Sequence, residues 1–141
     1  MAKTQDEINE LLASDLFQKG IQDKHIIINE RNSIIRYNCK NQTKRRLQNP
    51  EEFVQAETYL KLIYEYNYPA TNISVNESVQ IGSETREADI LVYNDSHNKI
   101  LIVVECKEEN INERQFQIAV DQAYSYAHAS AARLCLGYIW N

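Results

Sequence analysis

Asp89, Glu105 and Lys107 are the residues whose types and spacing best suit chemistry on a charged substrate. Asp89 opens one apolar run, Glu105 nearly closes the next, and both are equidistant from His97 in the polar segment Asn94-Asp95-Ser96-His97-Asn98 between them. Antiparallel pairing about that segment sets the two carboxylates opposite each other to within a residue of register. Strand side chains alternate, so Glu105 and Lys107 share a face while Cys106 points the other way. Two carboxylates and an amine therefore converge where the strands end. A hard divalent ion, Mg²⁺ or Mn²⁺, favours a carboxylate pair completed by waters; such an ion lowers the pKa of a bound water and neutralises charge on a phosphodiester. Lys107 then has the charge to orient an attacking water or to stabilise a pentavalent transition state. The triplet Glu105-Cys106-Lys107 is unspecific alone and also reads as an exposed ion pair at a strand end; the opposed Asp89 gives it weight.

These groups need a scaffold, and its outline can be read from patterning. Asp89–Tyr93 and Ile100–Cys106 form a hairpin, preceded by a strand over Ile73–Gln80 and a turn at Gly82-Ser83. Asn49 as cap, Pro50 at the first helical position and Glu52 at the third open a helix whose Phe53, Ala56, Leu60, Ile63 and Tyr64 keep helical spacing up to Asn67-Tyr68-Pro69. Nearer the N-terminus, Thr4 and Glu7 have capping-box spacing and start one helix, with Ile8, Leu11, Leu12, Leu16 and Phe17 on a face, that stops near Gly20. His25–Asn29 and Ser33–Asn38 suit a hairpin, and Lys40–Gln48 follows as a basic connector. After the acidic pair, Asn110 and Glu113 open a helix through about Ala131, with Phe116, Ala119, Val120, Ala123 and Ala127 on one stripe, before a strand over Leu134–Trp140. Strand, helix and strand make a right-handed βαβ crossover.

The expectation is one α/β domain over residues 1–141, with a mixed central sheet flanked by helices: an N-terminal helix, hairpin and connector over 1–48 and a core over 49–141. The chain ends inside or just after a strand at Trp140-Asn141, so it reads as a fragment of a longer protein. A net charge of -5 argues against wholesale polyanion binding but leaves room for a local basic patch, the densest being Lys40, Lys44, Arg45 and Arg46. Each of these can neutralise a phosphate or simply be solvated. Cys39, Cys106 and Cys135 lack metal-site spacing and read as reduced thiols. With only Gly20, Gly82 and Gly137, neither a dinucleotide fingerprint nor a P-loop can be written, and no histidine sits beside a nucleophile elbow. The absence of an apolar run of membrane length or a signal core points to a soluble, cytoplasmic protein.

Asn49-Pro50-Glu51-Glu52-Phe53-Val54, Tyr68-Pro69, Arg86-Glu87-Ala88-Asp89-Ile90-Leu91-Val92 and Val103-Val104-Glu105-Cys106-Lys107 together resemble the N-terminal nuclease domain of type I restriction enzyme R subunits, within the PD-(D/E)xK nuclease superfamily. Gln122-Ala123-Tyr124-Ser125-Tyr126 is similar to the QxxxY motif of RecB-like members. The resemblance is strongest from Asn49 onward. It implies a restriction-endonuclease-like fold and Mg²⁺- or Mn²⁺-dependent cleavage of double-stranded DNA. It also implies, as partners, other restriction-modification subunits or a C-terminal helicase or translocase region. Asp89 and Glu105 become metal ligands with the Cys106 backbone carbonyl, Lys107 the catalytic lysine, and Gln122 and Tyr126 further catalytic residues one helical turn apart. Glu52 matches the helix-borne acid that assists the metal, although its place in a capping box explains it equally well. Lys44, Arg45, Arg46 and Arg86 are the candidate DNA contacts. The sequence departs from the pattern in having Ala88 for the proline and in placing Arg86 three residues before Asp89, one more than usual. The rival expectation is a non-cleaving, nuclease-like module for DNA docking or assembly.

Overall fold

Thr4 caps the chain's first helix as its spacing predicts, its hydroxyl accepting from the Glu7 amide at 3.2 Å to open α1 (Gln5–Leu12). The computed structural model describes residues 4–81, 83–106 and Arg114. The single helix expected up to Gly20 is two helices. Ser14 is extended and accepts from the Phe17 amide at 3.4 Å, so a second cap interrupts the first helix and starts α2 (Asp15–Gln22). Gly20 does not stop α2, which continues past it. A Cβ at position 20 would stand 2.6 Å from Leu60 Cδ2, so the glycine answers a close approach between helices rather than a turn.

β1 (Ile26–Asn29) and β2 (Ile34–Tyr37) form the expected hairpin, with Ile28 opposite Ile35. The expected connector contains a strand: β3 (Lys44–Arg46) pairs with β2 and sets Arg45 opposite Ile35. Backbone pairing needs no apolar side chain, and a Lys-Arg-Arg edge strand shows no hydrophobic period. Opposed residues share a face, and Ile35 and Tyr37 are fully buried. Arg45 therefore turns to the core side, while Lys44 and Arg46 are exposed.

Asn49 Oδ1 accepts from the Glu51 amide at 3.0 Å and starts α3 (Pro50–Tyr64), with Glu51 and Glu52 in the first turn where the helix dipole favours acids. Phe53, Ala56, Tyr59 and Leu60 pack in one core with Ile8 and Phe17 of the first helices, Ile26 and Ile35 of the first sheet, and Ile73, Val75, Ile90 and Val92 of the second. A further stripe on α3, Glu52, Gln55 and Thr58, is also buried but polar. Those side chains need partners inside the protein.

A 3-10 turn over Ala70–Asn72 leads into a second antiparallel sheet, ordered β4 (Ile73–Ile81), β5 (Glu84–Tyr93) and β6 (Ile100–Val104). β5 begins at Glu84 rather than Asp89 because it continues pairing with β4 through residues with no apolar alternation. The loop after β5 is fastened by Asn94 Oδ1, which accepts from the Asn98 and Lys99 amides at 3.1 Å. Ile90 pairs with Val104, the register that symmetry about His97 requires, and Asp89 and Glu105 stand one position beyond that pair in the chain. Between the pairs Val75–Ile90 and Glu77–Ala88 the ribbon changes face. Val75 and Ile90 belong to the main core, whereas Ala88 and Val79 pack with Leu91 and Val103 in a second cluster. Strict alternation would keep Ala88 on the side of Ile90. The change occurs where Asn76, at φ 53°, takes left-handed backbone across from Asp89.

The α/β class holds, in the described residues as three α-helices and two three-stranded antiparallel sheets. The helix expected from Asn110, except for Arg114, and the strand expected over Leu134–Trp140, and with them Lys107, Gln122 and Tyr126, lie outside the described residues. Among the described residues no helix is long and apolar enough to cross a membrane.

Candidate functional site

The break in the second sheet and the polar stripe of α3 meet at one cavity. Its walls are Arg45, Asn49, Glu51, Glu52, Gln55, Asn76, Asp89 and Cys106. The volume is about 80 Å³, and roughly 10–15 Å³ of such space accepts one water. Three residues singled out as candidate metal or catalytic groups, Glu52, Asp89 and Cys106, thus come together, and Arg45 joins them. Asp89 Oδ2 accepts from the Cys106 amide at 2.7 Å, fixing the carboxylate to the strand opposite.

The Glu52 carboxylate is not used in a capping box: Asn49 caps through the Glu51 amide, and Glu52 points inward. Oε2 accepts from the Tyr37 hydroxyl at 2.8 Å and from Gln55 Nε2 at 2.9 Å, and Oε1 from Arg45 Nε at 3.3 Å. Burial raises its pKa from the ordinary carboxylate value, and the charge of Asp89 adds to the rise, while Tyr37 and Arg45 oppose it. Gln55 Nε2 also donates to Asn76 Oδ1 at 2.8 Å, joining α3 to the break in β4.

Glu105 is 3 % exposed. Its charge, with those of Asp89 and Glu52, adds to the effect of burial in pushing the Cys106 thiol well above its usual range. Cys106 Sγ packs 3.9 Å from Thr58 Oγ1. Of the basic run, Lys44 and Arg46 are exposed, Arg45 Nη1 also lies 3.5 Å from Glu87, and Lys40 Nζ sits 4.4 Å from the Tyr93 ring centroid. Arg86 pairs with Val79 in the outer ribbon; its side chain is outside the described part.

Hard divalent ions take oxygen donors and retain waters. Two carboxylates from different elements on one polar cavity with room for several waters fit that chemistry. Among the described residues no group of three or more His, Cys, Asp or Glu side chains is placed close enough together to hold a metal ion. Tyr37, Gln55 and Asn76 are members of the site that motif reading passes over. The signal available for two of them was the spacing Glu52, Gln55, Thr58, too polar for a core helix face, and an asparagine interrupting an alternating strand.

Residues 50–137, more than half of the chain, match the family described as type I restriction enzyme R protein N terminus (HSDR_N). No curated protein matches the chain.

Proposed function

The chain belongs to the family of type I restriction enzyme R protein N termini, and from that premise we propose that it is a Mg²⁺-dependent DNA endonuclease domain of a restriction system. The observation that supports this reading is the meeting of Glu52 and Asp89 at one cavity, with Glu105 following Val104, the partner of Ile90, in the chain. In this reading Asp89, Glu105 and the Cys106 backbone carbonyl hold Mg²⁺ or Mn²⁺, and Glu52 assists from α3. The bound ion supplies an acidified water and a counter-charge for the phosphodiester. Lys107 follows Cys106 directly and orients the water or stabilises the charge that builds on the phosphorus oxygens. Gln122 and Tyr126 complete the catalytic set. Exposed Lys44 and Arg46 neutralise phosphates of double-stranded DNA, and other restriction subunits or a translocase region deliver that DNA.

The test is cleavage of plasmid DNA by the full-length assembly with Mg²⁺ and with EDTA, for the wild type and for Lys107→Ala. The variant should keep metal and most DNA affinity, yet lose on the order of 3 kcal/mol of transition-state stabilisation, about a hundredfold in rate. Undiminished cleavage by Lys107→Ala removes the role assigned to the lysine. Should the wild type bind DNA without ever cutting it, a docking module replaces the nuclease.

A further inference from the structure

The acid on α3 is held largely by residues that precede the family match at residues 50–137. Tyr37, from β2, is fully buried, and its hydroxyl donates to Glu52 Oε2 at 2.8 Å. Arg45, from β3, donates through Nε to Oε1 at 3.3 Å. Both oxygens are thus engaged from outside the helix, which limits rotation of the carboxylate about its terminal bond. The Tyr37 ring is fixed in turn, edge-on to Tyr59 with centroids 5.0 Å apart. Tyr59 shows the ordinary solution for a buried tyrosine, its hydroxyl donating to a backbone carbonyl, that of His25, at 3.0 Å. Tyr37 instead directs its hydroxyl to a carboxylate that borders the same cavity as Asp89. Packing alone would need only the ring.

The register explains why these two residues arrive together. Arg45 lies opposite Ile35, which shares a strand face with Tyr37, so pairing of β3 with β2 presents the guanidinium and the phenol on one side. We infer that Tyr37 and Arg45 are positioning residues that hold Glu52 toward Asp89, so that the first sheet is part of the active site. This rests on the nuclease reading and deepens it. Arg45 then acts through Glu52 and not as a DNA contact, in contrast to its exposed neighbours Lys44 and Arg46.

The experiment is a double-mutant cycle in the full-length assembly with Tyr37→Phe, Glu52→Gln and their combination, accompanied by Arg45→Gln and Arg45→Lys. Cleavage kcat, the KM for DNA and the half-saturating Mg²⁺ concentration are measured, together with calorimetric Mn²⁺ affinity in the absence of DNA. Tyr37→Phe should lower kcat about tenfold and weaken Mn²⁺ binding several-fold with an unchanged KM for DNA, and should add nothing in the Glu52→Gln background. Arg45→Gln should follow the same pattern, and Arg45→Lys should recover part of the loss because it keeps the charge. Full additivity with Glu52→Gln, wild-type behaviour of Tyr37→Phe or Glu52→Gln, or a raised KM for DNA in Arg45→Gln at unchanged kcat overturns the inference while leaving the nuclease intact. A wild type that neither cleaves nor binds Mn²⁺ overturns the nuclease reading itself, and the inference falls with it.

Discussion

The two sheets serve one cavity in opposite ways. β1, β2 and β3 are strands of three or four residues that send donors to it, the Tyr37 hydroxyl and the Arg45 guanidinium. β4, β5 and β6 include strands of nine and ten residues and bring the acceptor carboxylate of Asp89 to the cavity at the point where the ribbon changes face. A short strand suffices for a donor buried in a continuous core, because packing sets its position. A carboxylate at the edge of solvent needs a backbone fixed by pairing on both sides. Damage to the first sheet should therefore appear mainly as lost stability or altered tuning, and damage to the second as lost chemistry in a folded chain.

The most disruptive change we expect is Tyr37→Ala, which empties a fully buried ring position and should cost about 3–5 kcal/mol in a urea titration. A loss well below that range would mean that the first sheet is not packed as tightly as described. On the second sheet, Asp89→Asn keeps an oxygen to accept from the Cys106 amide, so its melting temperature should stay close to the wild type. Cleavage by the assembly should nevertheless fall by about 3 kcal/mol, roughly a hundredfold. If stability fell with activity, the contrast between the sheets would disappear.

Glu52 lies between the two regions and sharpens the comparison through pH. Its folded pKa is raised by burial and by Asp89, so the native state favours the protonated carboxyl. Its favourable contribution to stability is present below the unfolded carboxylate pKa of about 4.3 and is lost as pH rises through the higher folded value. In EDTA, Glu52→Gln should melt above the wild type at neutral pH, and the two curves should converge in acid. A variant less stable at pH 7 than at pH 4, relative to the wild type, would reverse the sign of the shift. The smallest effect concerns the outer face of β3: Lys44→Gln and Arg46→Gln should each reduce the slope of log affinity for DNA against log salt by about one, while Arg45→Gln leaves it unchanged. Fluorescence anisotropy across a salt series resolves this difference.

What could be read in the sequence was local or symmetric. The pairing of Ile90 with Val104, beside Asp89 and Glu105, followed from the polar loop centred on His97, and α3 from Asn49 and Pro50. The break at Ser14 was hidden because the apolar stripe runs through it, whereas a cap depends on one hydroxyl and its own backbone angle. β3 was hidden because its partner is found through main-chain bonds, to which Lys44-Arg45-Arg46 give no hydrophobic clue. The hold on Glu52 joins residues 15 apart in sequence, from a strand to a helix, and no short motif encodes such a contact. Glu52 itself was ambiguous for the opposite reason, since its position near a helix start satisfied a local rule that the structure leaves to Asn49.

The change of face beside Asp89 has a mechanical side. Ala88 is rooted in one hydrophobic cluster and Ile90 in the other, so the intervening Cα cannot translate without disturbing packing on both sides of the sheet. The ribbon is clamped there like a beam held from above and below, and the Cys106 amide restrains the carboxylate that projects from the clamp. Asp89 is accordingly preorganised by the fold: the entropy of placing it is lost once, during folding, and not again each time a ligand arrives.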